Sequence, residues 1–164
     1  LAADALAPYV PAIRQRFAAL RGRDIPVQMV HGDFHLGQTL LTPDGWRIID
    51  FEGEPLKSMA ERLAPDSAWR DVAGMTRSLA YATSAHDDPS SDAALEWLRV
   101  ARDTFLRAYC GEHMQVDEDL LSAYEADKAA YEVVYETRNR PDWVQIPLRA
   151  IQHVTSGVTL TERS

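Results

Sequence analysis

The sequence has a single cysteine, Cys110, so it can close no internal disulfide and build no cysteine-based zinc site. Lysine is equally sparse: Lys57 and Lys128 are the only two. No run of Lys or Arg offers a footprint for a phosphate backbone, and 17 basic residues against 25 acidic leave a net charge of −8. That balance argues against a nucleic-acid partner, though not against a nucleotide, which metal ions can help to hold. No apolar stretch approaches the roughly 20 residues that span a bilayer, so no membrane partner is expected. The first twenty residues contain Asp4, Pro8 and Pro11 and lack a signal-peptide pattern. A reducing, cytoplasmic setting is the expectation. The chain begins at Leu1 rather than Met, as expected of a fragment or processed chain.

What is present is ordinary globular material. At 46% hydrophobic and 26% charged over 164 residues, the chain can bury a core in one domain. A helix is expected over Leu1 to Leu20, ending near Gly22, and Val27 to Val30 reads as a short buried strand. The loop His31-Gly32-Asp33-Phe34-His35-Leu36-Gly37 follows. Two β-like runs, Gln38 to Thr42 and Trp46 to Asp50, flank Pro43-Asp44-Gly45, and an Asp-Gly turn between apolar runs signals a hairpin. The rest has helical periodicity: 68–84, then a loop at 87–92, then 93–110 closed by Gly111, then 118–138 stopped before Pro141. A last helix is expected from Pro147 towards Val158. The fold class is therefore α+β, predominantly α-helical, with one hairpin packed on a helical body.

A hairpin symmetric about Asp44 and Gly45 sets Thr39 opposite Asp50 and Gln38 opposite Phe51. Gln38 and Asp50 then share its open end, where the loop carrying Asp33 also enters. Oxygen donors of this kind suit Mg²⁺, which takes one or two carboxylates plus phosphate and water. Asp33, further out, is free to face a hydroxyl. Together these are the parts phosphoryl transfer requires: charge neutralisation and a carboxylate that orients the nucleophile.

The spacing His31-x-Asp33-x-x-x-x-Gln38 resembles the H-x-D-x-x-x-x-N catalytic loop of protein-kinase-like phosphotransferases, with Gln in place of Asn. Ile49-Asp50-Phe51-Glu52 resembles their metal-binding D-F-G position, in the form used by the aminoglycoside phosphotransferase branch. With Arg70-Asp71-Val72-Ala73-Gly74 and the stretch from Tyr135 to Arg149, the whole looks like the maltokinase family. That family makes maltose 1-phosphate from maltose and ATP. The resemblance implies a protein-kinase-like C-terminal lobe over residues 1–164, with Asp33 as catalytic base and with Gln38 and Asp50 on magnesium. It also implies a metal contact for Glu52 and support of the catalytic loop by His31 and Asp71. Nothing before His31 resembles a Gly-rich phosphate loop or a strand lysine, so an N-terminal nucleotide-covering lobe is expected in the full-length protein. This chain alone is then expected to be inactive.

The helix from Glu118 adds a second cluster. Tyr124, Tyr131 and Tyr135 share one face, with Glu125, Glu132 and Glu136 beside it. Aromatic stripes are usually core and acidic stripes usually solvated. Rings beside carboxylates also make a wall for a sugar, which makes Tyr131, Glu132, Tyr135, Glu136, Arg140 and Trp143 candidates for substrate binding. His35 is a candidate for a contact near the phosphates. His86, His113 and His153 have no ligand-like spacing. Acidic residues in an acceptor pocket would equally suit an amino-bearing substrate, so a glucosamine kinase or aminoglycoside phosphotransferase stands as the alternative. A binding lobe without turnover is the non-enzymatic one.

Overall fold

The structure, a computed structural model, describes residues 2–85 and 87–156. In chain order its helices and strands are α1 (Ala2–Leu6), α2 (Val10–Ala19), β1 (Thr39–Thr42), β2 (Gly45–Ile48), α3 (Met59–Leu63), α4 (Trp69–Ala82), α5 (Asp92–Cys110), α6 (Glu118–Asn139) and α7 (Gln145–Ser156). Single 3₁₀ turns occupy Leu36–Gln38, Thr83–Ala85 and Pro141–Trp143. The predominantly helical α+β class is observed. His86 and the part of the last helix expected beyond residue 156 lie outside the described residues.

The chain forms two compact units, one from Leu1–Arg23 with Gln115–Ser164 and one from Asp24–Met114. In the first, the single helix expected over Leu1–Leu20 is instead two, broken at Ala7-Pro8-Tyr9. Pro8 lacks the N–H an unbroken helix would need, whereas Pro11 sits in the first turn of α2, where no N–H is required. Asp117 caps α6, its carboxylate accepting from the Leu120 N–H at 3.1 Å. Ala129, Val133 and Ile151 form a fully buried centre, against which Leu6, Tyr9, Ile13 and Leu148 pack.

The second unit is built on α4. Its buried face carries Trp69, Val72, Ala73, Met75 and Leu79, and Ala94 and Leu106 are the buried residues of α5. Trp69 meets Tyr109 edge-on at 5.7 Å. Ser91 caps α5 and Gly111, at φ +58°, ends it. Two expectations fail here. Val27 to Val30 is no buried strand: Val27 and Met29 are 62% and 61% exposed, and Gln28 makes one isolated bridge to Asp66. The hairpin is also not packed flat on the helices. Leu41 and Trp46 are exposed, and it is the turn Leu36–Gln38 that lies against α4.

The hairpin register departs from symmetry about Asp44-Gly45. Thr39 pairs with Ile48, Leu40 with Arg47, Leu41 with Trp46 and Thr42 with Gly45. Pro43 and Asp44 are therefore the two central turn residues. Proline's fixed negative φ suits the first of these, while an Asp-Gly centre of type I′ would need positive φ at Asp44, which it lacks. The shift is two residues, so it preserves which face each side chain takes. Gln38 falls in the 3₁₀ turn, and Ile49 and Asp50 lie past the end of β2.

Candidate active site

All the loop and hairpin residues singled out from the sequence lie in the second unit. The loop is tied down from α4: Asp71 accepts from the backbone N–H of His31 at 2.7 Å and of Gly32 at 2.9 Å, one carboxylate oxygen each. Ser78, two turns along the same helix, accepts from the Leu36 N–H at 3.0 Å. Between these anchors Gly74 faces the Phe34 carbonyl, so closely that a Cβ there would stand 2.4 Å from the oxygen. Glycine is required at that point because only its bare backbone lets the loop approach the helix.

His31 is buried and its ring spans two segments. Nδ1 accepts from the Asp33 N–H at 3.3 Å, which leaves the proton on Nε2 to donate to the Ile49 carbonyl at 2.8 Å. The imidazole therefore fixes the backbone of Asp33 and that of the residue preceding Asp50 at once. Phe51 lies against the same ring at 4.7 Å and Phe34 at 5.6 Å. His35 caps the 3₁₀ turn, Nδ1 accepting from the Gly37 N–H at 3.1 Å. Its protonated Nε2 then faces the Asp33 carboxylate at 3.9 Å.

Gln38 and Asp50 are in contact although neither pairs as the symmetric hairpin implied. The Gln38 amide nitrogen donates to Asp50 Oδ2 at 3.0 Å, and the Ile49 N–H donates to the Gln38 carbonyl at 3.0 Å. Asp50 is the only described non-glycine residue in the left-handed region, at φ +62°. Such a conformation costs an L-residue roughly 1–2 kcal/mol and is least unfavourable for Asp and Asn. Glu52 is exposed, and its backbone carbonyl accepts from Arg62 Nη1 at 3.2 Å.

The donor set fits Mg²⁺. One carboxylate and one amide oxygen at an exposed position, with phosphate and water completing the shell, is the ligation that ion prefers. Among the described residues no group of three or more His, Cys, Asp or Glu side chains gathers into a ready cage. A metal shared with phosphates therefore suits the site better than a protein-enclosed ion. The Gln38 amide must turn over to present oxygen, because its nitrogen now faces Asp50.

The second cluster lies in the first unit. Tyr131 and Tyr135 stack nearly parallel at 6.5 Å. Arg140 forms two hydrogen bonds to Glu136, at 2.6 and 2.9 Å, and covers Trp143 at 4.7 Å and Tyr135 at 6.0 Å. Glu132 and Glu136 are 9% and 2% exposed, which corrects the solvated-stripe reading for these two positions. The Arg140 guanidinium pairs with Glu136 through both carboxylate oxygens.

Several supporting residues were not singled out from the sequence. Ser58 and Glu61 form a capping box that starts α3, and Ser58-x-x-Glu61 is a readable signal for one. Ser78 and Arg62 carried no comparable local signal, and Gly74 was named only as the end of the string that opens at Arg70.

A loop held to a helix by one carboxylate, beside an amide–carboxylate pair at the open end of a hairpin, is an architecture suited to phosphotransfer. The comparisons with known proteins lead to kinases. No family model matches the chain. It is 33% identical over 153 residues to a glucosamine kinase of Streptacidiphilus jiangxiensis, covering 87% of this chain and 34% of that protein. It is 32% identical over 146 residues to a glucosamine kinase of Mycolicibacterium smegmatis, covering 84% and 37%. Among solved structures it is similar to a glucosamine kinase with a TM-score of 0.80 and 28% identity, over 96% of this chain and 42% of that one. A glucosamine kinase in complex with glucosamine, ADP and inorganic phosphate is similar with a TM-score of 0.76, over 93% and 41%. The chain thus spans about a third of the length of the curated relatives it matches. These relatives support a sugar-kinase relationship. They are named for glucosamine, which favours the amino-sugar alternative over maltose.

Proposed function

We propose that this chain supplies the acceptor and metal side of an ATP-dependent amino-sugar kinase, with glucosamine as the acceptor. The observation that carries the reading is the 33% identity to a glucosamine kinase over 87% of the chain. The arrangement of Asp33, Gln38 and Asp50 gives that identity a chemical meaning.

Asp33 is the base in this reading. Its carboxylate takes the proton of the attacking sugar hydroxyl as the oxygen bonds to the γ-phosphorus and the bond to ADP breaks. His31 keeps the Asp33 backbone in place and Asp71 holds the loop beneath it. His35, whose Nε2 lies 3.9 Å from the Asp33 carboxylate, is proposed to make a contact near the phosphates. Gln38 and Asp50, with Glu52 nearby, would hold Mg²⁺, whose role is to neutralise phosphate charge. Tyr131, Glu132, Tyr135, Glu136, Arg140 and Trp143, in the first unit, are the proposed substrate-binding residues. A further lobe, outside this sequence, is proposed to cover the nucleotide phosphates.

The test is turnover by the full-length protein with ATP, Mg²⁺ and a panel of glucosamine, maltose and kanamycin. Glucosamine phosphate is the expected product, and a preference for maltose or kanamycin would overturn the acceptor assignment. Asp33→Asn is expected to lower kcat by about 10²–10⁴-fold and leave sugar binding intact; a loss of less than about tenfold would remove Asp33 as base.

A further inference from the structure

The segment that follows Asp50 makes a tight, irregular turn. Asp50 and Gly53 both have positive φ, +62° and +76°, within four residues, and the segment is not part of β2. Gly53 meets the catalytic loop backbone-to-backbone, its Cα 3.4 Å from where a Cβ on Gly32 would be. Beside this contact lies a pocket of about 230 Å³ lined by Gly32 and Gly53 together with Glu54, Lys57 and Arg62.

One side chain from α3 reaches this turn. Arg62, in the last turn of α3, lays its Cβ, Cγ and Cδ 3.3–3.4 Å from the Cβ position of Gly53 and donates from Nη1 to the Glu52 carbonyl. Its Nε is buried with no hydrogen-bond partner. A purely space-filling strut, such as Met, would leave no buried donor unmet. What the guanidinium adds is a directed hydrogen bond to the turn. The capping box of Ser58 and Glu61 starts the five-residue helix that carries it.

We infer that Arg62 is a positioning residue for the divalent cation: through Glu52 and Gly53 it sets the turn that aims the Asp50 carboxylate. The inference rests on the reading of Asp50 as a metal ligand. Groups that orient a metal ligand typically change metal affinity by about 10–100-fold when removed.

The experiment measures Mn²⁺ binding, by water-proton relaxation with inorganic phosphate present, to the chain and to Asp50→Asn, Arg62→Met and Arg62→Lys, with thermal melts of each. Arg62→Met keeps the stem and loses the donor; it is expected to weaken Mn²⁺ by about 10-fold or more at temperatures where the variant is fully folded. Arg62→Lys restores one donor and leaves no orphaned Nε, so it is expected to recover most of that affinity with no loss of melting temperature. If Asp50→Asn weakens Mn²⁺ and Arg62→Met binds it like the parent, the inference on Arg62 falls alone. It also falls alone if Arg62→Lys is as impaired as Arg62→Met. If Arg62→Met does not fold, Arg62→Lys decides: affinity near the parent's supports the inference, and clear loss overturns it. If Asp50→Asn binds Mn²⁺ normally, or the parent chain binds none, both the inference and the metal reading are overturned.

Discussion

Replacing Gly74 by alanine pits a local gain against a tertiary loss, and the structure gives the size of both. Gly74 lies inside α4, where alanine is favoured over glycine by about 0.8–1.0 kcal/mol. The new Cβ, however, would be 2.4 Å from the Phe34 carbonyl oxygen. Close carbon–oxygen contacts settle at about 3.3 Å, so the loop must retreat by roughly 0.9 Å. It has little freedom to do so, because His31 and Gly32 are tied to Asp71 on one side and Leu36 to Ser78 on the other. Overpacking of this kind costs about 1–3 kcal/mol, and stretching the Leu36–Ser78 bond costs about 1 kcal/mol more. After the helix gain the net loss is about 2 kcal/mol, which lowers the melting temperature of a chain this size by roughly 4–8 °C.

Melting followed by circular dichroism measures that difference directly. In the full-length protein the same change should reduce kcat by about 10²-fold, since Asp33 rides on the displaced loop and a 1 Å misplacement has that effect. A Gly74→Ala chain that melts at or above the parent's temperature would refute the reasoning. It would show that helix propensity governs this position and that the loop does not rest on α4.

Three other outcomes are expected. Asp50→Gly should be more stable than Asp50→Ala by about 1–2 kcal/mol, because only glycine adopts φ +62° without strain; equal melting temperatures would argue against a left-handed Asp50. Gln38→Glu sets a second carboxylate against Asp50, so Mg²⁺ should raise its melting temperature more than the parent's, and an equal rise would place the ion elsewhere. Asp117 has its pKa held below the ordinary 3.8, chiefly by its hydrogen bond to Arg23. Its stabilising contribution is therefore complete above that value and fades as pH falls through the lowered folded pKa. Asp117→Asn keeps the cap on α6 but should melt with a flatter acid limb below about pH 4; an unchanged limb would show that the pair adds nothing.

The helices of this chain were legible because their boundaries are local chemistry. Ser91 and Gly111 bound α5, Asp117 and Pro141 bound α6, and each acts within a turn of its own position. Failures came where a local signal had two readings. Pro8 and Pro11 are both prolines near a helix start, yet Pro11 opens α2 and Pro8 ends the segment before it. Asp44-Gly45 is a hairpin signal, but Pro43 beside it moves the turn centre by one residue and the register by two. The apolar run from Val27 to Val30 had no periodicity to say whether a partner strand existed, and only the bridge of Gln28 to Asp66 formed.

The candidate site divides along the same line. Asp33, Gln38 and Asp50 could be named as candidates because phosphoryl transfer constrains residue type, and Gln38 and Asp50 meet over a short span of chain. The residues that hold them could not, because their contribution is steric or comes from far along the chain. Gly74 matters through an atom it does not have, which no residue pattern records until Phe34 is placed above it. Asp71 is 40 residues from His31, and Arg62 reaches the turn with one nitrogen while burying another. Such supports can be exchanged for other residues that meet the same backbone groups, whereas a carboxylate that takes a proton cannot. The chemistry of a site is thus written more plainly in a sequence than the geometry that makes it work, and it is on that geometry that Gly74→Ala and Arg62→Met act.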